Sequence, residues 1–110
     1  MAVADAKAAL DAQQAAFVDA RPANGFVFGH IPGAVNLPAG QFEEVFAARG
    51  GALPRDRKIV VYCGDANCPD AATVADALGK KGFASVVRLA GGWSAWTGAG
   101  YPMQRGFTQP

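Results

Sequence analysis

The chain is poor in the residues that build metal centres and covalent scaffolds. Its 110 residues include two cysteines and one histidine. A structural zinc site wants four ligands, usually from closely spaced pairs. His30 lies far along the chain from Cys63 and Cys68, so neither zinc nor any other cofactor is expected. Two cysteines cannot make a disulfide framework, and a domain of this size needs no staple. A loop as short as that from Cys63 to Cys68 would return little chain entropy if closed. Charge of one sign is also lacking. Ten Lys and Arg face nine Asp and Glu, a formal net charge of +1, so neither nucleic acid nor an anionic membrane is an indicated partner. No apolar run approaches the length that spans a bilayer. The opening MAVADAKAALDAQQ lacks a basic region followed by a solid apolar core, so it does not read as a signal peptide. A cytoplasmic location is therefore the expectation, where thiols are usually free. There is no internal repeat and no low-complexity tract.

What is present is core material. Hydrophobic residues make up 51% and charged residues 17%, the composition of one packed domain over residues 1–110. Residues 3–14 favour helix. Residues 16–19 form a short apolar run that suits a strand. Residues 21–31 carry Pro22, Gly25 and Gly29 and read as loop. Residues 34–37 are a second strand candidate. In residues 41–49, Phe42, Val45 and Phe46 mark one helical face. The β-branched run KIVVY at 58–62 predicts a strand. Over 69–81, Ala71, Val74, Ala75 and Leu78 fall at i, i+3, i+4 and i+7 and predict an amphipathic helix. Pro69 suits its first turn, and Lys80, Lys81 and Gly82 suit its end. Residues 85–89 predict a strand, Gly91-Gly92 opens a last short helix through Trp96, and the tail from Gly98 reads as extended. Short strands alternating with helices imply an α/β layered fold, with parallel strands around each helical crossover.

In open parallel sheets, ligands bind beyond the carboxyl ends of the strands. Cys63 directly follows Tyr62 at such an end, and the loop to Cys68 runs into a helix N-terminus. Unpaired N–H groups there can cradle an anion and lower a thiol pKa from its free value of about 8.5. That seat favours a reactive thiolate at Cys63 over a small core filler.

Several segments, in order, carry a family likeness: FVDARP, GHIPGAVNLP, IVVYC, GFASVVRLAGGWSAW and GAGYPM. From about residue 17 to 103 the chain resembles a single-domain rhodanese-like sulfurtransferase. The resemblance implies a five-stranded parallel sheet with helices on both faces. It also implies a cysteine that carries sulfur as a persulfide at the base of a six-residue loop. Carried onto this chain, Cys63 is the nucleophile. Gly64, Asp65, Ala66, Asn67 and Cys68 are the rest of the loop, with N–H groups directed at the outer sulfur. The implied partners are a small-molecule sulfur donor such as thiosulfate or a persulfide, and a thiol or cyanide acceptor. A protein persulfide could also serve.

The loop departs from the pattern in which Arg stands near its end. Here those positions are Cys68 and Pro69. Between Cys63 and Val74 there is no Lys or Arg, while Asp65 and Asp70 are present. A loop without a cation binds a dianionic donor less well, and nearby carboxylates oppose thiolate formation. Cys68 offers other chemistry: within reach of Cys63, it can resolve a persulfide or sulfenate to a disulfide. Two alternatives stand beside sulfur transfer. One is a dithiol redox protein using Cys63 and Cys68; the other is a non-catalytic binding module. Arg88 could supply the missing cation, and Trp93, after the Gly-Gly turn, could wall the pocket. His30 reads as architectural, Asp19 and Arg21 as a hydrogen-bonded pair or separate loop anchors, Trp93 and Trp96 as core or rim, and Phe42 and Phe46 as core.

Overall fold

The computed structural model describes residues 1–107. Four parallel strands, β1 (Ala15–Asp19), β2 (Val35–Asn36), β3 (Lys58–Tyr62) and β4 (Val86–Arg88), lie in the order β2-β1-β3-β4. Five helices surround them: α1 (Val3–Asp11), α2 (Ala23–Phe28), α3 (Phe42–Arg49), α4 (Asp70–Lys80) and α5 (Gly92–Gly98). Short 3-10 turns, Ala39–Gln41 and Gly50–Ala52, flank α3.

The expected fifth strand is not formed among the described residues. Met1 lies along the outer edge of β4. Its amino group donates to Arg88 O at 2.7 Å, and Ala90 N–H donates to Met1 O at 2.8 Å. One residue of pairing does not make a strand, and Val3 already begins α1. The stretch at 21–31, expected as loop, holds α2. Its Phe26 is fully buried, so tertiary burial outweighs the two glycines and the proline. Gly98 closes α5 rather than opening the tail. The tail has no helix up to residue 107, though Gln104 pairs with His30. Its last three residues lie outside the described residues.

Strand β3 organises the core. Its side chains alternate between faces. Ile59, Val61 and, one residue past the strand, Cys63 join Val74 and Leu78 of α4 and Phe42 of α3 on one side. Val60 and Tyr62 join Phe17, Phe26 and Trp96 on the other, with α1, α2 and α5. The same period that buries the strand therefore aims Cys63 at α4. Helix α4 begins at Asp70, and Pro69 serves as its N-cap. An acidic residue in that first turn complements the helix dipole.

Candidate active site

Cys63 leaves β3 at the carboxyl end of the sheet and is 4% exposed. Its carbonyl is held from the α5 side: Trp93 N–H donates to Cys63 O at 2.7 Å and Ser94 N–H to Gly64 O at 2.9 Å. This close approach needs a glycine at 92. Gly92 has φ +58°, and a Cβ there would stand 2.5 Å from Cys63 O. The Gly-Gly turn thus fixes where the Cys63 backbone sits.

The chain then turns back on itself, and Cys63 and Cys68 are joined by a disulfide with Cα atoms 6.1 Å apart. That separation falls within the range a disulfide spans. The bond answers the question left open by the spacing: the curled loop does bring the second sulfur to the first. A ring of five inward N–H groups is not what the loop forms. Asp65 takes two of them, with Asn67 N–H on its carboxylate at 2.9 Å and Cys68 N–H on its carbonyl at 3.3 Å. The N–H groups of Gly64, Asp65 and Ala66 have no intramolecular partner among the described residues.

An open cleft of about 490 Å³ lies over the bond, lined by Cys63, Asp65, Ala66, Cys68 and Arg88, with the 89–91 segment as a wall. Arg88 is exposed, and its guanidinium has no ion-pair partner among the described residues. Arg88 and Met1 both line the cleft. A second open cleft, about 580 Å³, lies beyond Arg88 between α4 and β4. It holds no thiol, whereas both cysteines line the cleft at Cys63.

Trp93 does not wall that cleft. Its ring belongs to the other face of the sheet, stacked on Tyr62 at 6.2 Å and under the Arg21 guanidinium at 4.9 Å. Arg21 binds the fully buried Asp19, with Nη2 to Oδ2 at 2.7 Å, and also donates to Gly29 O. Burial works against the guanidinium's charge, but the bonds and field of Asp19 prevail and raise its pKa above the ordinary value. The ion pair is architectural, tying α2 to the end of β1. Burial, with the charge of Asp19, also pushes the Tyr62 phenol well above its usual range. Ile31 N–H donates to that phenol at 3.0 Å. His30 is buried, stacked on Phe26, with Nδ1 2.9 Å from Phe26 O, and stands apart from the sulfurs.

Asp70, expected with Asp65 as a carboxylate opposing a thiolate, does lie beside the sulfurs. Its Oδ2 lies 4.0 Å from Cys63 Sγ, and with the two sulfurs it makes a group of donor atoms within 4.8 Å of one another. Those sulfurs are bonded to each other here, so a metal would need the reduced dithiol. The signal for Asp70 is local: an acid in the first turn of a helix that follows a reactive loop lies beside that loop. Leu89, Ala90 and Gly91 were missed as cleft wall; they follow a strand's carboxyl end.

A strand-end cysteine in a curled loop at the mouth of a parallel sheet defines a thiol-chemistry site on an α/β scaffold. The Rhodanese-like domain family matches residues 2–99, and the chain belongs to that family. Over 99 residues it is 38% identical to the HTH-type transcriptional regulator Rv0324 of Mycobacterium tuberculosis, covering 87% of this chain and 40% of that protein. It is 38% identical over 86 residues to the thiosulfate sulfurtransferase GlpE of Shewanella oneidensis, covering 78% and 79%. The crystal structure of the BH2092 protein from Bacillus halodurans superposes with a TM-score of 0.83 at 25% identity, covering 96% of this chain and 75% of that one. The chain spans less than two thirds of several curated relatives, 40% of the regulator and 64% of the uncharacterised YqhL of Bacillus subtilis. No helix among the described residues is long and apolar enough to cross a membrane.

Proposed function

We propose that the chain transfers sulfane sulfur through Cys63 and that Cys68 resolves the persulfide. The observation that carries this reading is the Cys63–Cys68 bond at the floor of the strand-end cleft. In the first half, the Cys63 thiolate attacks the outer sulfur of a donor. A Cys63 persulfide forms and the donor's remaining thiolate or sulfite leaves. In the second half, the Cys68 thiolate attacks Cys63 Sγ and expels hydrosulfide. The sulfane sulfur is reduced to sulfide while the two cysteines are oxidised to the disulfide. An external thiol or dithiol reductant then restores both thiols. A thiol or cyanide that reaches the persulfide first takes the sulfur instead. The GlpE name supports the transfer half, and the disulfide supports the resolving half.

Donor choice follows from charge. Arg88 is the guanidinium at the cleft, while Asp65 lines it and Asp70 lies 4.0 Å from Cys63 Sγ. A persulfide or thiosulfonate, carrying one negative charge, suits this site better than dianionic thiosulfate.

Intact mass tests the scheme. Reduced Cys68→Ser, given a persulfide donor, should gain one sulfur atom and yield thiocyanate with cyanide. Reduced wild type should instead release sulfide and close its disulfide. Cys63→Ser should do neither, and sulfur loading that survives in Cys63→Ser sinks the proposal. The disulfide also favours a second reading, a dithiol redox protein. It is the one to adopt if Cys68→Ser takes no sulfur from any donor while wild type exchanges its disulfide with a dithiol.

A further inference from the structure

We infer that an external thiol opens this disulfide at Cys68, with Cys63 departing as the thiolate. The inference rests on the resolving role given to Cys68 above and assigns the sulfur at which the reductant enters.

The two sulfurs are not equivalent. Cys63 is 4% exposed and belongs to the core cluster formed by β3 and α4. Cys68 is partly exposed, packed at the edge of the same cluster between exposed Asn67 and Pro69. Thiol–disulfide exchange proceeds in line: the incoming thiolate approaches the attacked sulfur from the side away from the leaving one. Access to that side and stability of the leaving thiolate set the rate. At Cys63 the approach must be made to a sulfur with almost no surface, past the Asp70 carboxylate 4.0 Å away. Cys68, although packed against the same cluster, keeps more surface than Cys63 for that approach.

The leaving side argues the same way. The N–H groups of Gly64, Asp65 and Ala66, which follow Cys63 in the loop, have no intramolecular partner among the described residues and are free to donate to a local anion. The N–H of Cys68 is already bound to Asp65 O. Asp70, 4.0 Å away, opposes the charge at Cys63, and the local donors have to outweigh it.

The step balances. The reductant thiolate forms a sulfur–sulfur bond to Cys68, the Cys63–Cys68 bond breaks, and its electron pair leaves on Cys63. With a dithiol reductant, its second thiolate attacks the first. That closes the reductant's own disulfide and frees Cys68. The sulfur donor and the reductant thus engage different sulfurs of one pair, and Cys63 is ready for a donor before Cys68 is released.

The test uses the oxidised wild-type chain and glutathione as a monothiol. Iodoacetamide is added in the same rapid-mixing step, so that a released thiolate is capped before it can return. Tryptic fragmentation of the 59–80 peptide then shows which cysteine carries glutathione. The expected product has glutathione on Cys68 and the alkyl group on Cys63, in roughly tenfold excess or more over the reverse isomer. Glutathione mainly on Cys63, or an even split, overturns the assignment. Sulfur loading of Cys68→Ser is read separately. If loading succeeds while glutathione sits on Cys63, only this inference falls. If loading fails, the sulfur-transfer reading falls with it.

Discussion

Asp70 illustrates how a single carboxylate sets the temper of the site. It stands 4.0 Å from Cys63 Sγ. Two unit charges at that distance interact by about 1 kcal/mol in water and several-fold more at a protein surface of lower effective dielectric. After screening of this half-buried group, a cost on the order of 1 kcal/mol to the thiolate is reasonable. In the reduced Cys68→Ser background, Asp70→Asn should therefore raise the rate of Cys63 alkylation near neutral pH by about fivefold. Asp70→Glu should leave it close to the parent. An unchanged rate in the Asn variant would mean the carboxylate does not act on the sulfur. Tyr62, next to Cys63, gives a pH signature of the fold. Its folded-state pKa is raised by burial first and by Asp19 second. The folded chain thus keeps a proton that the unfolded chain gives up above about pH 10. The unfolded state then binds fewer protons, so stability falls as pH rises past about 10, by up to about 1.4 kcal/mol per unit. Below that range the group contributes no slope. Tyr62→Phe should flatten this alkaline decline in melting temperature. It should also cost about 1 kcal/mol throughout, from the lost partner of Ile31 N–H.

Among the elements, α5 is the support of the nucleophile rather than a lid over it. Its first residue, Gly92, has φ +58° and no space for a Cβ against Cys63 O. Gly92→Ala combines an unfavourable backbone region with a clash. A loss of about 1–3 kcal/mol is expected by chemical denaturation, along with slower sulfur loading, because the Cys63 and Gly64 carbonyls would lose their donors. A variant with full stability and full loading would show that the turn does not position the site. The sequence made the elements with strong periodicity plain. KIVVY and the i, i+3, i+4, i+7 pattern of α4 appear where expected, within a residue or two. Helix α2 was hidden because Pro22, Gly25 and Gly29 look like breakers, and what holds it is remote in sequence. Phe26 buries in the core, and Arg21 reaches Gly29 O while gripping Asp19. Trp93 was misplaced for a related reason. The first turn of α5 was legible, but its ring is directed by Tyr62 and Arg21 on the far face. Cys63 could be read because a strand end, a period of two and a loop are local facts. The Cys68 bond could not, since it depends on the path of the loop between them.

At the scale of the whole molecule, the question is whether the disulfide holds the fold or uses it. Two packed clusters sandwich the sheet, with Ile59, Val60, Val61, Val74, Leu78 and Trp96 all fully buried. A core of that kind in 110 residues does not need a staple. The bond joins residues only five apart. In the chain-entropy model, closing so short a loop stabilises the native state by about 2 kcal/mol. A domain of this size has an unfolding entropy for which that amounts to a fall of roughly 5–10 °C in melting temperature on reduction. The reduced chain should still unfold in one cooperative transition. This outcome is what a switchable bond requires: enough linkage to register its redox state, too little for the architecture to depend on it. Calorimetry of the oxidised chain, the reduced chain and Cys68→Ser checks it. The last two should coincide within a few degrees, since each lacks the same cross-link. If reduction instead abolished the transition, the bond would be structural, and a cycle that opens and closes it at every turnover could not operate on this scaffold.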